Sequence, residues 1–128
     1  MKSSSRLTWI GLGALALAGC DRESLPVVCT PSIEQGLYIT VVDSVTGAPP
    51  PSAALIARSG TYVDSVGPYA VQPGSLLILT AVPERVGTYD LTVRSPGYLT
   101  WTRTGVRITS RECHVRTVYV TARLRKQG

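Results

Sequence analysis

The stretch Gly87-Thr88-Tyr89-Asp90-Leu91-Thr92-Val93-Arg94-Ser95-Pro96-Gly97-Tyr98 decides how this chain folds. Tyr89, Leu91 and Val93 share one face at period two, and Thr88, Asp90, Thr92 and Arg94 share the other. That is the pattern of a half-buried antiparallel strand. Ser95-Pro96-Gly97-Tyr98 ends it. Pro96 presets φ for the first central position of a tight turn, and Gly97 accepts the positive φ that a type II turn requires at the second.

The same alternation of strand and turn extends in both directions. Upstream, residues 37–42 read as a first strand, closed by Asp43-Ser44-Val45-Thr46-Gly47 and a rigid Pro49-Pro50-Pro51 step that no strand interior tolerates. Residues 53–58 form a second strand, with Ser59-Gly60 as a hairpin signal into a third over 61–64. Residues 66–75, which carry Gly67-Pro68 and Pro73-Gly74, read as a loop. Residues 76–82 are a continuous apolar run, expected to be a strand buried on both faces. Downstream, residues 99–109 form a long strand whose apolar phase changes. Leu99 and Trp101 are on one parity and Val106 and Ile108 on the other, so a β-bulge is expected near Gly105. In the last strand, over 115–124, Val118, Val120, Ala122 and Leu124 share a face, with Tyr119 on the other between Thr117 and Thr121. The polar residues 125–128 are expected to fray.

A chain of 128 residues without Phe or Asn, and rich in Thr, Val, Tyr, Gly and Pro, favours strands and turns and has room for one core. Seven short strands spaced by turn signals predict an all-β, seven-stranded Greek-key β-sandwich of Ig-like form over residues 37–124.

The N-terminus reads as a targeting segment. Lys2 and Arg6 supply a basic start and residues 7–17 an apolar core, and the thirteen residues from 7 to 19 are too few to cross a bilayer as a helix. Leu17-Ala18-Gly19-Cys20 resembles the lipobox of bacterial lipoproteins. That resemblance implies cleavage between Gly19 and Cys20 and a diacylglycerol on the Cys20 thiol; a plain secretory signal that leaves Cys20 as a spare thiol is the alternative. Residues 1–19 are then a signal peptide and 20–36 the lipidated cysteine and tether, with the domain in a bacterial cell envelope, on the periplasmic or outer side of a membrane. Loss of Lys2 and Arg6 leaves eleven basic against eight acidic residues, a formal charge of +3. Seven of the basic residues lie from Arg103 onward, opposed there by Glu112 alone. They are read as outward-facing on exposed strands, with anionic headgroups or wall polymers as the alternative partner.

With Cys20 committed to lipid, Cys29 and Cys113 remain in a compartment that oxidises thiol pairs, and a disulfide between them is expected. It would staple the first strand to the last. Metal binding by Cys29, Cys113 and His114 is the rival reading, and it lacks a fourth ligand at any usual spacing.

The order Val41-x-Asp43, Thr46-Gly47, a Pro-rich step into Ala53-Ala54, then Gly87-x-Tyr89-x-Leu91-x-Val93 and Pro96-Gly97-Tyr98 resembles the carboxypeptidase regulatory-like domain over about residues 37–124. The resemblance implies a transthyretin-like β-sandwich of seven strands and a folding, spacing or binding module rather than a catalyst. The family's usual Thr-Asp-x-x-Gly-x-Tyr hairpin is replaced here by Val63-Asp64-Ser65-Val66-Gly67-Pro68-Tyr69 and an insertion.

Chemistry points the same way. His114 is the single histidine, and there is no Gly-x-Ser-x-Gly elbow, no His-Glu-x-x-His and no phosphate-cradling glycine loop, so neither catalysis nor a cofactor is expected. A small envelope hydrolase would need Asp43, Asp64, Asp90 and His114 to converge. Nucleic acid is not an expected partner, because the basic strands lack an interleaved aromatic stripe. The expected role is a lipid-anchored, non-catalytic binding or scaffolding module, held to the membrane by its lipid and facing an envelope protein or glycan. The alternative is a carbohydrate-binding protein that uses Tyr69, Tyr98 or Trp101, with Trp101 also read as core.

Overall fold

Alternation of apolar and polar side chains produces seven strands and, among the described residues, no helix: β1 (Gln35–Asp43), β2 (Ser52–Ser59), β3 (Tyr62–Ala70), β4 (Leu77–Pro83), β5 (Gly87–Arg94), β6 (Trp101–Ile108) and β7 (Val118–Leu124). The computed structural model describes residues 26–128, together with Gly13 and Gly19. Residues 1–19, read above as a targeting segment, and Cys20, read as the lipidated position, lie outside the described residues, those two glycines aside.

The strands form two sheets, ordered β4-β1-β7 and β3-β2-β5-β6. β1 is antiparallel to β4 and parallel to β7, with Tyr38 opposite Tyr119 and Ile39 opposite Val120. Only β2–β3 and β5–β6 are hairpin neighbours; the other four connections cross between sheets. The facing sides form the core. Leu37, Ile39 and Val41 meet Leu79 and Ala81 of β4 and Val120, Ala122 and Leu124 of β7, against Leu55, Tyr89, Leu91, Val93, Val106 and Ile108 of the opposite sheet. Each such Leu, Ile or Val contributes about 1.5–3 kcal/mol on leaving water, so a one-residue slip that turned a strand over would cost several of these terms at once.

The organising strand is placed as its alternation predicts. Tyr89, Leu91 and Val93 are buried, Thr88, Asp90 and Arg94 are exposed, and Gly97 takes φ 81° in the turn closed by the Tyr98 N–H to the Ser95 carbonyl. The bulge falls near Gly105 as the phase change requires. Tyr89 pairs with Val106 but Leu91 with Arg103, so β6 spends one residue more than β5 there. Gly105, at φ 70°, donates its N–H to Asp90.

Three expectations are corrected. Residues 66–70 are not loop, because β3 runs on to Ala70 through a second bulge at Gly67-Pro68. β3 is an edge strand, and an edge tolerates proline because one of its sides has no ladder to supply. Residues 76–82 are not buried on both faces: Leu76 and Ile78 are exposed, since among the described residues no second layer covers the outer side of the three-stranded sheet. Nor does the tail fray. Leu99 donates to the Arg125 carbonyl at 2.8 Å and Gln127 to the Gly97 carbonyl at 3.0 Å, which laces one open side of the sandwich. The other side is closed by Asp64 of β3, whose carboxylate accepts the Val82 N–H of β4 at 2.7 Å.

The Cys29–Cys113 disulfide is formed, with the two Cα atoms 5.3 Å apart. It joins the segment before β1 to the β6–β7 connection, and so pins the start of the parallel β1–β7 pair.

Candidate functional site

The three aromatics expected to contact a ligand are not brought together. Tyr69 is exposed on β3 and Trp101 lies on β6, the two opposite edges of one sheet, three strand spacings or about 14 Å apart. Trp101 is half-buried against the core, with the Arg103 guanidinium 5.3 Å from its ring centre. Tyr98 is also half-buried, and its hydroxyl donates to Asp43 Oδ2 at 2.8 Å. That bond, with burial second, raises the Tyr98 phenol above its ordinary value. Asp43 Oδ1 accepts the N–H groups of Val45 and Thr46, and Lys126 stands 3.9 Å from Oδ2. These donors, the Thr46 N–H foremost, hold Asp43 below the usual carboxylate value.

The polar groups that a hydrolase would need are dispersed as well. Asp64 is bonded to Val82, Asp90 to the bulge at Gly105 and Asp43 to its own turn, while His114 pairs with Glu84. Among the described residues, no three His, Cys, Asp or Glu side chains are grouped to hold a metal ion.

Glu84 is a hub that no local motif announces. One carboxylate oxygen accepts the Glu34 N–H at 2.8 Å and meets His114 Nδ1; the other accepts the Val115 N–H at 3.2 Å. His114 Nε2 in turn lies 3.2 Å from Thr30 Oγ1. The Glu34 N–H is the main reason the Glu84 carboxyl sits below its ordinary value, and His114 and the Val115 N–H add to it against the effect of burial. One side chain thus gathers the approach to β1, the β4–β5 corner and the β6–β7 connection.

Beside this hub an open groove of about 660 Å3 runs along the start of β7. The turn at Arg111–His114 and Arg116 line it, together with Glu34 from the approach to β1 and Tyr119 of β7. The Tyr119 ring is 76% exposed and lies 5.5 Å from that of Tyr38, tilted by 40°. Both project from a sheet face that no other described residues cover, and the parallel register of the two strands sets them side by side. No family model matches the chain, and no curated protein matches it.

Strand parity alone places Tyr119 outward, and Tyr38 follows the same rule between buried Leu37 and Ile39. Their adjacency needs the parallel register of β1 and β7, which local pattern does not encode. The one signal for it is the pair of cysteines set shortly before those two strands.

Proposed function

We propose that this protein is a lipid-anchored component of a bacterial cell envelope, a carboxypeptidase regulatory-like β-sandwich that serves as a non-catalytic binding or scaffolding module. The observation that carries the proposal is the disulfide at Cys29, nine residues beyond the lipobox Cys20, which clamps the end of the tether to the β6–β7 connection. Nine residues reach about 30 Å at most, so a lipid on Cys20 would keep the disulfide end of the sandwich close to the membrane surface. A non-catalytic role is supported by Asp43, Asp64 and Asp90, whose carboxylates accept backbone N–H groups at three separate places. Binding is supported by the groove at the same end, which has an exposed aromatic pair beside it.

Intact mass and membrane fractionation test the anchor. Protein from membranes is expected to lack residues 1–19, to carry acyl mass at Cys20, and to release two alkylatable thiols only after reduction. Cys20→Ser is expected to abolish the acyl mass and to leave the membrane fraction. An unmodified Cys20 in wild-type protein overturns the anchored module.

A further inference from the structure

We infer that the Tyr119 groove is a saccharide site that takes a short run of a neutral N-acetylated amino-sugar polysaccharide, an inference that rests on the binding-module function proposed above. Three features of the site lead there. The first is the Tyr38–Tyr119 pair, with Tyr119 largely in solvent although it is the one aromatic that lines the groove. An aromatic ring with a polar tip, fixed on a strand, presents a flat apolar face at low entropic cost, and the C–H face of a pyranose ring matches it. The second is the polar lining. Arg111 and Arg116 stand with Glu34 and Glu112, two donors and two acceptors whose formal charges cancel. A balanced lining of this kind disfavours a polyanion such as nucleic acid or an anionic bilayer, which needs a net positive surface. It suits a neutral ligand rich in hydroxyl and acetamido groups, each acetamido presenting one donor and one acceptor. The third is size and shape. A groove of about 660 Å3 falls among small-ligand sites of roughly 300–1,000 Å3, and it is partly open to solvent, so a chain longer than the site need not be enclosed by it.

The site is also rigid where it needs to be. Thr117 donates its hydroxyl to the Gln35 carbonyl at 2.7 Å, the Arg111 N–H bonds the His114 carbonyl, and the disulfide ties Cys113 to the tether. The wall and the backbone that carries Tyr119 are therefore fixed before a ligand arrives, which limits the ordering cost of binding.

Co-sedimentation with insoluble chitin, a neutral polymer of N-acetylglucosamine, tests the assignment, using the full protein as the cell makes it, kept in detergent if it is lipidated. Wild-type protein is expected in the pellet and to be released by a soluble N-acetylglucosamine trimer. Tyr119→Ala is expected to weaken binding about tenfold, the scale of a lost aromatic contact. Tyr119→Trp, which keeps a stacking face, is expected to retain binding, and so is Tyr69→Ala on the other sheet. Wild-type protein that stays in the supernatant, Tyr119→Ala that pellets like wild type, or Tyr69→Ala that abolishes pelleting overturns the site. None of these outcomes depends on the mass of Cys20, so failure of the groove and failure of the anchor are told apart.

Discussion

The Tyr98 hydroxyl donates to Asp43 Oδ2 across 55 residues of sequence, and this bond ties the turn that ends the organising strand to the turn that ends β1. Lys126, from the tail that pairs with Tyr98, stands on the same carboxylate oxygen. Three chain segments therefore depend on one acid. Tyr98→Phe keeps the ring and removes the donor, and it is expected to lower Tm by several degrees and to speed amide exchange at Leu99 and Gln127, which a hydrogen-exchange experiment reads directly. Asp43 is held below its ordinary value of 3.8, so its contribution is present above that pH and fades as acid takes the folded protein through the lowered pKa. Acidification is accordingly expected to shrink the Tm difference between wild type and Tyr98→Phe.

Glu84 gives a second acid-sensitive element at the opposite end of β1. Its carboxyl lies below the ordinary 4.5, with the Glu34 N–H as the first cause, so the ionised form is favoured in the folded state. The stabilisation is complete above pH 4.5 and is lost as pH falls through the folded value. Glu84→Gln is expected to reduce Tm at neutral pH and to converge on wild type in acid. Thermal melts of both proteins from neutral to strongly acid pH check the sign. A constant gap across that range would mean that Glu84 acts by shape and not by charge.

The parts of this fold that local pattern reveals are those that depend on one strand at a time. The faces of β5 and β7, the turn at Ser95–Tyr98 and the bulge at Gly105 all follow from parity and from residues with restricted φ. What escaped depends on which strands become neighbours. Gly67-Pro68 reads as a break unless β3 is known to be an edge. The outward Ile78 reads as buried unless the outer face of its sheet is known to be bare. The Tyr38–Tyr119 pair and the Tyr98–Asp43 bond are long-range in the same sense. The candidate site was thus legible only as exposed aromatics in general, and the pair that shares a rigid surface was not among those singled out.

The disulfide closes an 84-residue separation and is expected to stabilise the domain by about 4–5 kcal/mol through loss of denatured-state entropy. That is a large share of what a domain of this size holds. Cys29→Ser with Cys113→Ser removes both thiols and is expected to lower the urea midpoint strongly. It also unfastens the segment before β1 from the groove wall, so amide exchange at Val115 and Arg116 is expected to rise even under conditions where the core stays folded. Loss of global stability with no local change there would show that Glu84 alone suffices to hold the wall.

Gly36 offers the sharpest packing test. A Cβ built on it meets the Val82 carbonyl oxygen at 2.7 Å and Ile108 Cδ1 at 2.9 Å, the first of which is backbone that cannot rotate away. Val82 sits at φ 59° and Glu84 at φ 49°, both in the left-handed region that branched and bulky residues avoid, so the β4–β5 corner is already bent to pass close over β1. The Asp64 carboxylate on the Val82 N–H and the paired bonds between Glu34 and Glu84 hold that corner down. Gly36→Ala must lift the corner or displace Ile108, at a cost of about 1–3 kcal/mol in chemical denaturation. Val82→Gly relieves the left-handed strain but removes a fully buried side chain, and the larger second effect is expected to make it destabilising too. Combined in one chain, the two substitutions act on the same contact. Their effects are therefore expected to sum to less than the separate losses, because the corner freed by glycine can move away from the new methyl.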